Sequence, residues 1–241
     1  MKATVVGGGL AGCEAAWALA ERGVAVTLCE MRPCVETPAH KTDLLAEIVC
    51  SNSFKSLEIT NAHGLLKAEL RELGSLLLDV ADGARVPGGA ALTVDRTAFS
   101  REVTQQMSAH PKIELVREEI VDLPSPAVVA TGPLTSGRLA RAIAQRLGTA
   151  ALAFYDSIAP IVSHESLDHE RLYRCSRYGK GEADDYLNAP FTAAEYQRFV
   201  GALLEADQYP GHEFDPIPYF ESCLPVEEMA RRGRDTLRFG P

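Results

Sequence analysis

The stretch from Lys2 to Pro33 most constrains what this chain can become: an apolar strand, a glycine-rich turn, a helix of small residues, and a second strand ending on an acid. Thr4-Val5-Val6 leads into Gly7-Gly8-Gly9-Leu10-Ala11-Gly12. A helix is expected over Cys13 to Glu21, a turn at Gly23, and a strand from Val24 to Cys29 closed by Glu30. Gly7 permits the tight turn, Gly9 lets backbone approach a pyrophosphate, and Gly12 lets the helix pack close against the strand. The helix start presents unpaired N–H groups and a positive dipole end to phosphate. Glu30, eighteen residues after Gly12, is placed to accept hydrogen bonds from ribose hydroxyls, and an acid there disfavours a ribose phosphate. FAD or NAD therefore fits this fingerprint better than NADP.

Bulk properties narrow the class further. A chain of 241 residues with 46% hydrophobic content can bury a core as one large domain or two small ones. No run of about 18 apolar residues is present to span a bilayer. The first strand starts at the initiator methionine, so a signal peptide is not expected and a cytoplasmic location is. The six cysteines read as thiols in that setting, with Cys13 and Cys29 as small core residues. No CxxC or Cys/His spacing suggests a metal site. A net charge of -9 argues against a broad nucleic-acid surface. It leaves room for local basic patches at Arg171 to Lys180, where tyrosines are interleaved, and at Arg231 to Arg238.

Along the chain, Met31 to Ser56 is polar and proline-punctuated and reads as a long functional loop. A helix is expected over Gly64 to Leu73, with Leu65, Leu66, Leu70 and Leu73 packing on one face. Further elements are a strand at Ala91 to Val94, a helix capped by Thr97 and running to Ala109, and a strand from Ile113 to Val116. Val128 to Gly132 reads as a buried strand returning to the nucleotide sheet. Helices follow over Leu134 to Leu147, Thr192 to Ala206 with Glu195 completing a capping box, and Val226 to Arg232 after Pro225. The pattern is α/β: a Rossmann-like FAD-binding domain over residues 1–135 and a second, smaller mixed α+β domain over 136–241.

Two cysteines stand out for chemistry. Cys50 lies among Ser51, Asn52 and Ser53, whose side chains can donate hydrogen bonds to a thiolate or an oxyanion. Cys223 ends an expected strand just before a helix start, where the dipole lowers a thiol pKa. The competing reading makes each a small buried hydrophobe. His40 and Lys41 could bind a carboxylate or phosphate, and Asp95-Arg96 reads as a structural pair.

Taken together, the motifs resemble the folate- and FAD-dependent tRNA (uracil-5-)-methyltransferases of bacteria, related to larger flavoproteins that modify the tRNA wobble uridine. The resemblance is carried by Val6 to Gly12, Glu30-Met31-Arg32-Pro33, Thr37 to His40, Cys50 to Ser53, Thr60 to Ala62, Val94 to Arg96, Ala130 to Ser136, Phe154 to Asp156, Pro160 to Val162, Tyr186 to Asn188 and Cys223 to Pro225. It implies FAD held by Gly7, Gly8, Gly9, Leu10, Ala11, Gly12, Glu30, Met31 and Arg32. It also implies methylenetetrahydrofolate as one-carbon donor, NADH or NADPH as reductant, and carbon 5 of a tRNA T-loop uridine as acceptor. Cys223 is implied as the nucleophile at uracil carbon 6, with Cys50 as acid/base or alternative nucleophile. Both basic stretches become RNA contacts.

Two departures accompany the resemblance. Ala189 stands where a cysteine is expected between Asn188 and Pro190, so that position is not catalytic here. Members of the family continue beyond a Phe-Gly-Pro like Phe239-Gly240-Pro241 into a second half that completes the FAD and folate sites, so a further chain supplying that half is a candidate partner. A nucleotide- or RNA-binding remnant without turnover and a small-molecule NAD- or FAD-dependent oxidoreductase stand as alternatives. The paired thiols count against the second of these, since hydride transfer needs none.

Overall fold

In a computed structural model, which describes residues 1–49, 51–148, 162–176, 184–207 and 224–239, the chain opens with strand β1 (Lys2–Val6), helix α1 (Leu10–Glu21) and strand β2 (Ala25–Glu30). Helix α1 buries Cys13, Ala16 and Ala20, a three-and-four spacing that lays one small-residue face on the sheet. It stops at a Schellman turn: Gly23 N–H donates to Ala20 O (2.9 Å) and Val24 N–H to Leu19 O (3.1 Å), with Gly23 at φ +87°. Glycine tolerates that left-handed geometry without penalty.

Next come strand β3 (Ser53–Ser56), helices α2 (Ala62–Glu72) and α3 (Leu76–Gly83), strands β4 (Arg85–Val86) and β5 (Ala91–Val94), helix α4 (Arg96–Ala109) and strands β6 (Ile113–Arg117) and β7 (Ala127–Val129). Helix α5 (Gly137–Leu147), strands β8 (Tyr173–Arg174) and β9 (Leu187–Asn188), and helices α6 (Ala193–Glu205), α7 (Val226–Arg232) and α8 (Thr236–Phe239) complete the described order.

The central sheet runs β6-β2-β1-β7 and its described pairings are parallel, with Val5 opposite Leu28 and Val128. A parallel sheet crossed over by helices is the α/β architecture expected from the strand-turn-helix-strand opening. A second sheet, β3-β5-β4, is antiparallel. The core lies between the sheets and helices α1, α3 and α4, where Val5, Leu28, Leu92, Phe99, Val103 and Met107 are fully buried.

Several local expectations are corrected. Helix α4 is capped by Asp95, whose carboxylate accepts the N–H groups of Thr97 and Ala98, both at 2.9 Å, and not by Thr97. The leucine face of α2 is packed only in part: Leu70 rests against the core, while Leu65, Leu66 and Leu73 are 49%, 54% and 66% exposed. The helix instead buries Gly64, where a side chain would run into the Glu58 carbonyl, and Lys67, whose Nζ donates to Ser56 O (2.9 Å) and His63 O (2.8 Å). A long aliphatic stem buries as well as a leucine when its ammonium finds carbonyls. Strand β7 joins β1 as expected but is exposed along its whole length.

Contacts divide the chain into two units, residues 1–152 with 176–185, and residues 153–175 with 186–241. In the second, α6 carries the expected capping box: Thr192 Oγ1 accepts Glu195 N–H (3.3 Å) while Glu195 Oε2 accepts Thr192 N–H (2.9 Å). Such a cap is worth about 1 kcal/mol. Cys50, Cys223, the aromatic run at 154–161 and the basic positions 177–180 lie outside the described residues.

Candidate nucleotide-binding site

The turn between β1 and α1 is built by contacts that reject side chains on one side and leave room on the other. Gly7 sits at φ +102°, its N–H bonded to Cys29 O at 2.8 Å, and an added Cβ would fall 2.7 Å from Ala130 O. At Gly12 a side chain would collide with the Gly7 carbonyl, so the first helical turn seats directly on the strand end. At Gly9 a Cβ would meet nothing within 4 Å. The packing of the protein itself does not require glycine there. The first intrahelical bond runs from Cys13 N–H to Gly9 O at 2.9 Å, so the amides of Leu10, Ala11 and Gly12 precede the hydrogen-bonded ladder. Open amides, the helix dipole and free space before Gly9 fit a dinucleotide pyrophosphate.

Glu30 is 5% exposed and ties this turn to the loop that follows. Its Oε2 accepts Gly8 N–H at 2.7 Å, and its Oε1 accepts both Arg32 N–H (3.0 Å) and Arg32 Nε–H (2.8 Å). Arg32, equally buried, spends Nη1 on Thr42 O and Glu47 Oε2, both at 3.0 Å. Glu47 in turn accepts from Lys41 N–H (2.8 Å), Thr42 N–H (3.1 Å) and Thr42 Oγ1–H (2.7 Å). Burial alone would raise the pKa of Glu30, but the hydrogen bonds and charge of Arg32, with the Gly8 amide, outweigh it and hold the carboxyl below its ordinary range. Glu47 follows the same pattern: burial is outweighed by the Lys41 and Thr42 donors. A chain of this kind, in which one guanidinium is shared by two carboxylates that also accept backbone and hydroxyl donors, persists in a low-dielectric setting where a lone charge would not.

The same loop closes over the turn from the other side. Ala46 N–H donates to Gly8 O at 2.8 Å, Leu45 N–H to Thr104 Oγ1 at 2.8 Å, and Ser100 Oγ–H to Ala46 O at 3.3 Å, with Leu45 and Ala46 fully buried. Gly8 is thereby clamped, its N–H to Glu30 and its carbonyl to Ala46.

The structure brings Gly7 to Gly12, Glu30, Met31 and Arg32 together. Glu30 and Arg32 serve first as braces, and Met31 is half-buried with its carbonyl bonded to Val35 N–H at 2.8 Å. His40 holds Thr37: Nδ1 lies 2.6 Å from Thr37 Oγ1, and burial together with the charge of Arg32 lowers its pKa, favouring the neutral ring. Lys41 contributes its backbone amide to Glu47. Arg96 donates to Ile48 O at 3.4 Å, while Asn52 exchanges bonds with Val94 through Val94 N–H to Asn52 O (2.9 Å) and Asn52 Nδ2 to Val94 O (3.3 Å). The flanks of Cys50 are thus anchored to the start of α4 and the end of β5. Cys13 and Cys29 are buried, as expected, and burial pushes the Cys13 thiol up to about 12. Glu47, Leu45 and Ala46 escaped sequence reasoning because nothing in their spacing shows that the loop folds back onto Gly8.

In the second unit the basic stretches are interwoven with acids. Arg171 pairs with Glu195 (3.4 Å), Arg231 with Glu228 (3.1 Å), and Arg238 with Asp235 (3.2 Å).

A parallel sheet with a clamped glycine turn, open helix amides and an acid ending the second strand defines a dinucleotide-binding α/β protein. Within that class, the chain belongs to the family described as Glucose inhibited division protein A, which matches it over residues 2–241. Among its relatives, a methylenetetrahydrofolate--tRNA-(uracil-5-)-methyltransferase TrmFO of Geobacter sulfurreducens is 56% identical over 99% of this chain and 55% of its own length. A protein of the same name from Solibacter usitatus is 58% identical over 98% of this chain and 54% of its own. The chain spans about 55% of the length of the curated relatives it matches. A solved structure of Aquifex aeolicus GidA aligns with a TM-score of 0.42 and 19% identity over 51% of this chain and 20% of that one.

Proposed function

We propose that this chain supplies the FAD-binding turn and an RNA-facing surface of a folate-dependent tRNA (uracil-5-)-methyltransferase, acting in the cytoplasm. In this reading, residues 1–135 hold the dinucleotide and the RNA-facing surface lies within 136–241. The one-carbon donor is methylenetetrahydrofolate, the reductant is NADH or NADPH, and the acceptor is carbon 5 of a T-loop uridine. What carries the reading is identity of 56% over nearly the whole chain to a relative named for that activity. The portion of the relatives that this chain does not span would come from further sequence or a further chain.

When bound, FAD would supply the capacity to carry the one-carbon unit and to deliver hydride. The amides of Leu10, Ala11 and Gly12 would bind its pyrophosphate oxygens, and Gly9 would let the backbone approach, while Gly8 makes room for Leu45 and the Glu30 carboxylate. Glu30 Oε2 accepts a single donor among the described residues, which leaves acceptor capacity for a ribose hydroxyl. Arg32 keeps that carboxylate ionised and aimed; Met31 lies between the two. Cys223 would add as thiolate to carbon 6 of uracil, moving the ring electron pair toward carbon 5, which then attacks the one-carbon unit. Cys50 would remove the carbon 5 proton as the bond between the one-carbon unit and its carrier breaks with the electron pair going to the carrier; hydride drawn from NADH or NADPH would then reduce the exocyclic methylene to methyl, and the ring electrons returned would expel Cys223 from carbon 6.

Label transfer tests this. With FAD, reductant and ring-labelled or methylene-labelled methylenetetrahydrofolate, methylene label should appear on uridine of a T-loop hairpin and ring label should not. The transfer should disappear in Cys223→Ala and Cys50→Ala. An FAD-loaded protein that transfers no label even when supplied with the portion of the relatives that this chain does not span contradicts the proposal.

A further inference from the structure

In the second unit, helix α6 presents aromatic rings to solvent beside arginine. Phe191 and Phe199 stack with centroids 5.2 Å apart and planes 24° from parallel, yet are 54% and 39% exposed. One turn of α6 back from Phe199, Tyr196 lies on the same helix face. Its hydroxyl donates to Arg234 O at 2.6 Å, and the Arg238 guanidinium carbon sits 5.8 Å from its ring centroid. Phe191, Thr192, Tyr196, Phe199 and Arg238 line one cavity of about 570 Å³. The rings are held on a firm support: the Thr192–Glu195 capping box fixes the helix start and Val200 anchors its buried side.

An exposed, pre-stacked aromatic pair is informative in a way that scattered surface leucines are not. It could await apolar protein, but this cavity is lined by Arg238 and by Gln197, whose Oε1 accepts from Arg234 Nη1–H at 3.2 Å. A π-face next to guanidinium matches a ligand that is flat and aromatic on one part and anionic on the next, which is the composition of a nucleotide in single-stranded RNA.

We propose that this cavity binds an unpaired nucleobase of an RNA loop, stacked on the exposed face of Phe191, with the adjoining phosphate at Arg238. The proposal rests on the reading of the substrate as RNA and adds where a base outside the reacting centre is gripped.

The test is equilibrium binding of a T-loop hairpin and of a fully paired duplex of the same length. Wild type should prefer the hairpin. Phe191→Leu keeps apolar bulk but removes the π-face, and should weaken hairpin binding about 10-fold while barely changing duplex binding. Phe191→Tyr should restore it. Arg238→Gln should lower the salt-dependence slope by about 0.7. Unchanged hairpin affinity in Phe191→Leu, or equal loss toward both RNAs, overturns the proposal. A second measurement needs no variant: a hairpin carrying 5-iodouridine in its loop should photocrosslink to the peptide containing Phe191 or Phe199, and adducts confined to other peptides overturn it. FAD uptake, read in parallel, separates the two readings. A chain that takes up FAD without loop preference sinks the pocket alone. Loop binding through Phe191 without FAD uptake keeps the pocket and sinks the flavoenzyme.

Discussion

Glu30 Oε2 lies 2.7 Å from the Gly8 amide and accepts its proton, joining the end of the second strand to the glycine turn that follows the first. Because the other carboxylate oxygen is held by Arg32, the geometry of the turn depends on an ion pair that shows almost no surface. Glu30→Gln should therefore destabilise the fold by about 3 kcal/mol, since it leaves Arg32 without its partner charge and presents an amide donor to existing donors. Urea unfolding measures this, and a change below about 1 kcal/mol would show that the pair does not brace the turn.

The same carboxylates set a pH dependence. Glu30 and Glu47 both have folded-state pKa values below their ordinary 4.5. Below that value the unfolded chain takes up protons first, so their stabilisation is complete above about 4.5 and is lost as pH falls through the folded values. Thermal midpoints should begin to decline below about 6.5, where the unfolded chain protonates His40 first, and drop further on the acid side of 4.5. In Glu30→Gln the drop should be shallower; an identical acid limb would remove Glu30 as a contributor.

Two glycines of one motif should respond oppositely. Gly9→Ala places a methyl in open space, so stability should change by no more than about 0.5 kcal/mol while FAD affinity falls about 10-fold or more, or about 1.4 kcal/mol. Gly12→Ala meets the Gly7 carbonyl and should cost about 1–3 kcal/mol of stability. Paired melts and flavin titrations of both variants check this; a Gly9→Ala protein that binds FAD like wild type would show that no ligand passes there.

Glu14 reaches from α1 to the start of α3, where its Oε2 accepts Ser75 Oγ–H (3.0 Å) and Leu77 N–H (3.1 Å). Glu14→Ala should cost about 1 kcal/mol as a lost cap, seen as a lower thermal midpoint with FAD affinity unchanged.

What was legible in the sequence was local. The turn at Gly7 to Gly12, the small face of α1, the capping box of α6 and the parallel return of β7 each follow from residues within one or two turns of each other. The bracing of the site was not legible, because Arg32 meets Thr42 and Glu47 only after the loop doubles back. Helix α3 went unread because Leu76, Leu77, Leu78, Val80 and Ala81 are all buried, and a helix covered on most sides loses its amphipathic period. The face of α2 was misjudged in part because Lys67 went inward on its aliphatic stem, leaving Leu65, Leu66 and Leu73 outside while Leu70 alone of the four reached the core.

The most direct test of the account is a titration of the purified protein with FAD, followed by the visible absorption bands of the flavin and by quenching of its fluorescence. Saturable perturbation of the flavin spectrum, weakened in Gly9→Ala, is the predicted result. A flavin spectrum that stays that of free FAD at every concentration, with the protein folded, would contradict the claim that this turn is built to hold a dinucleotide.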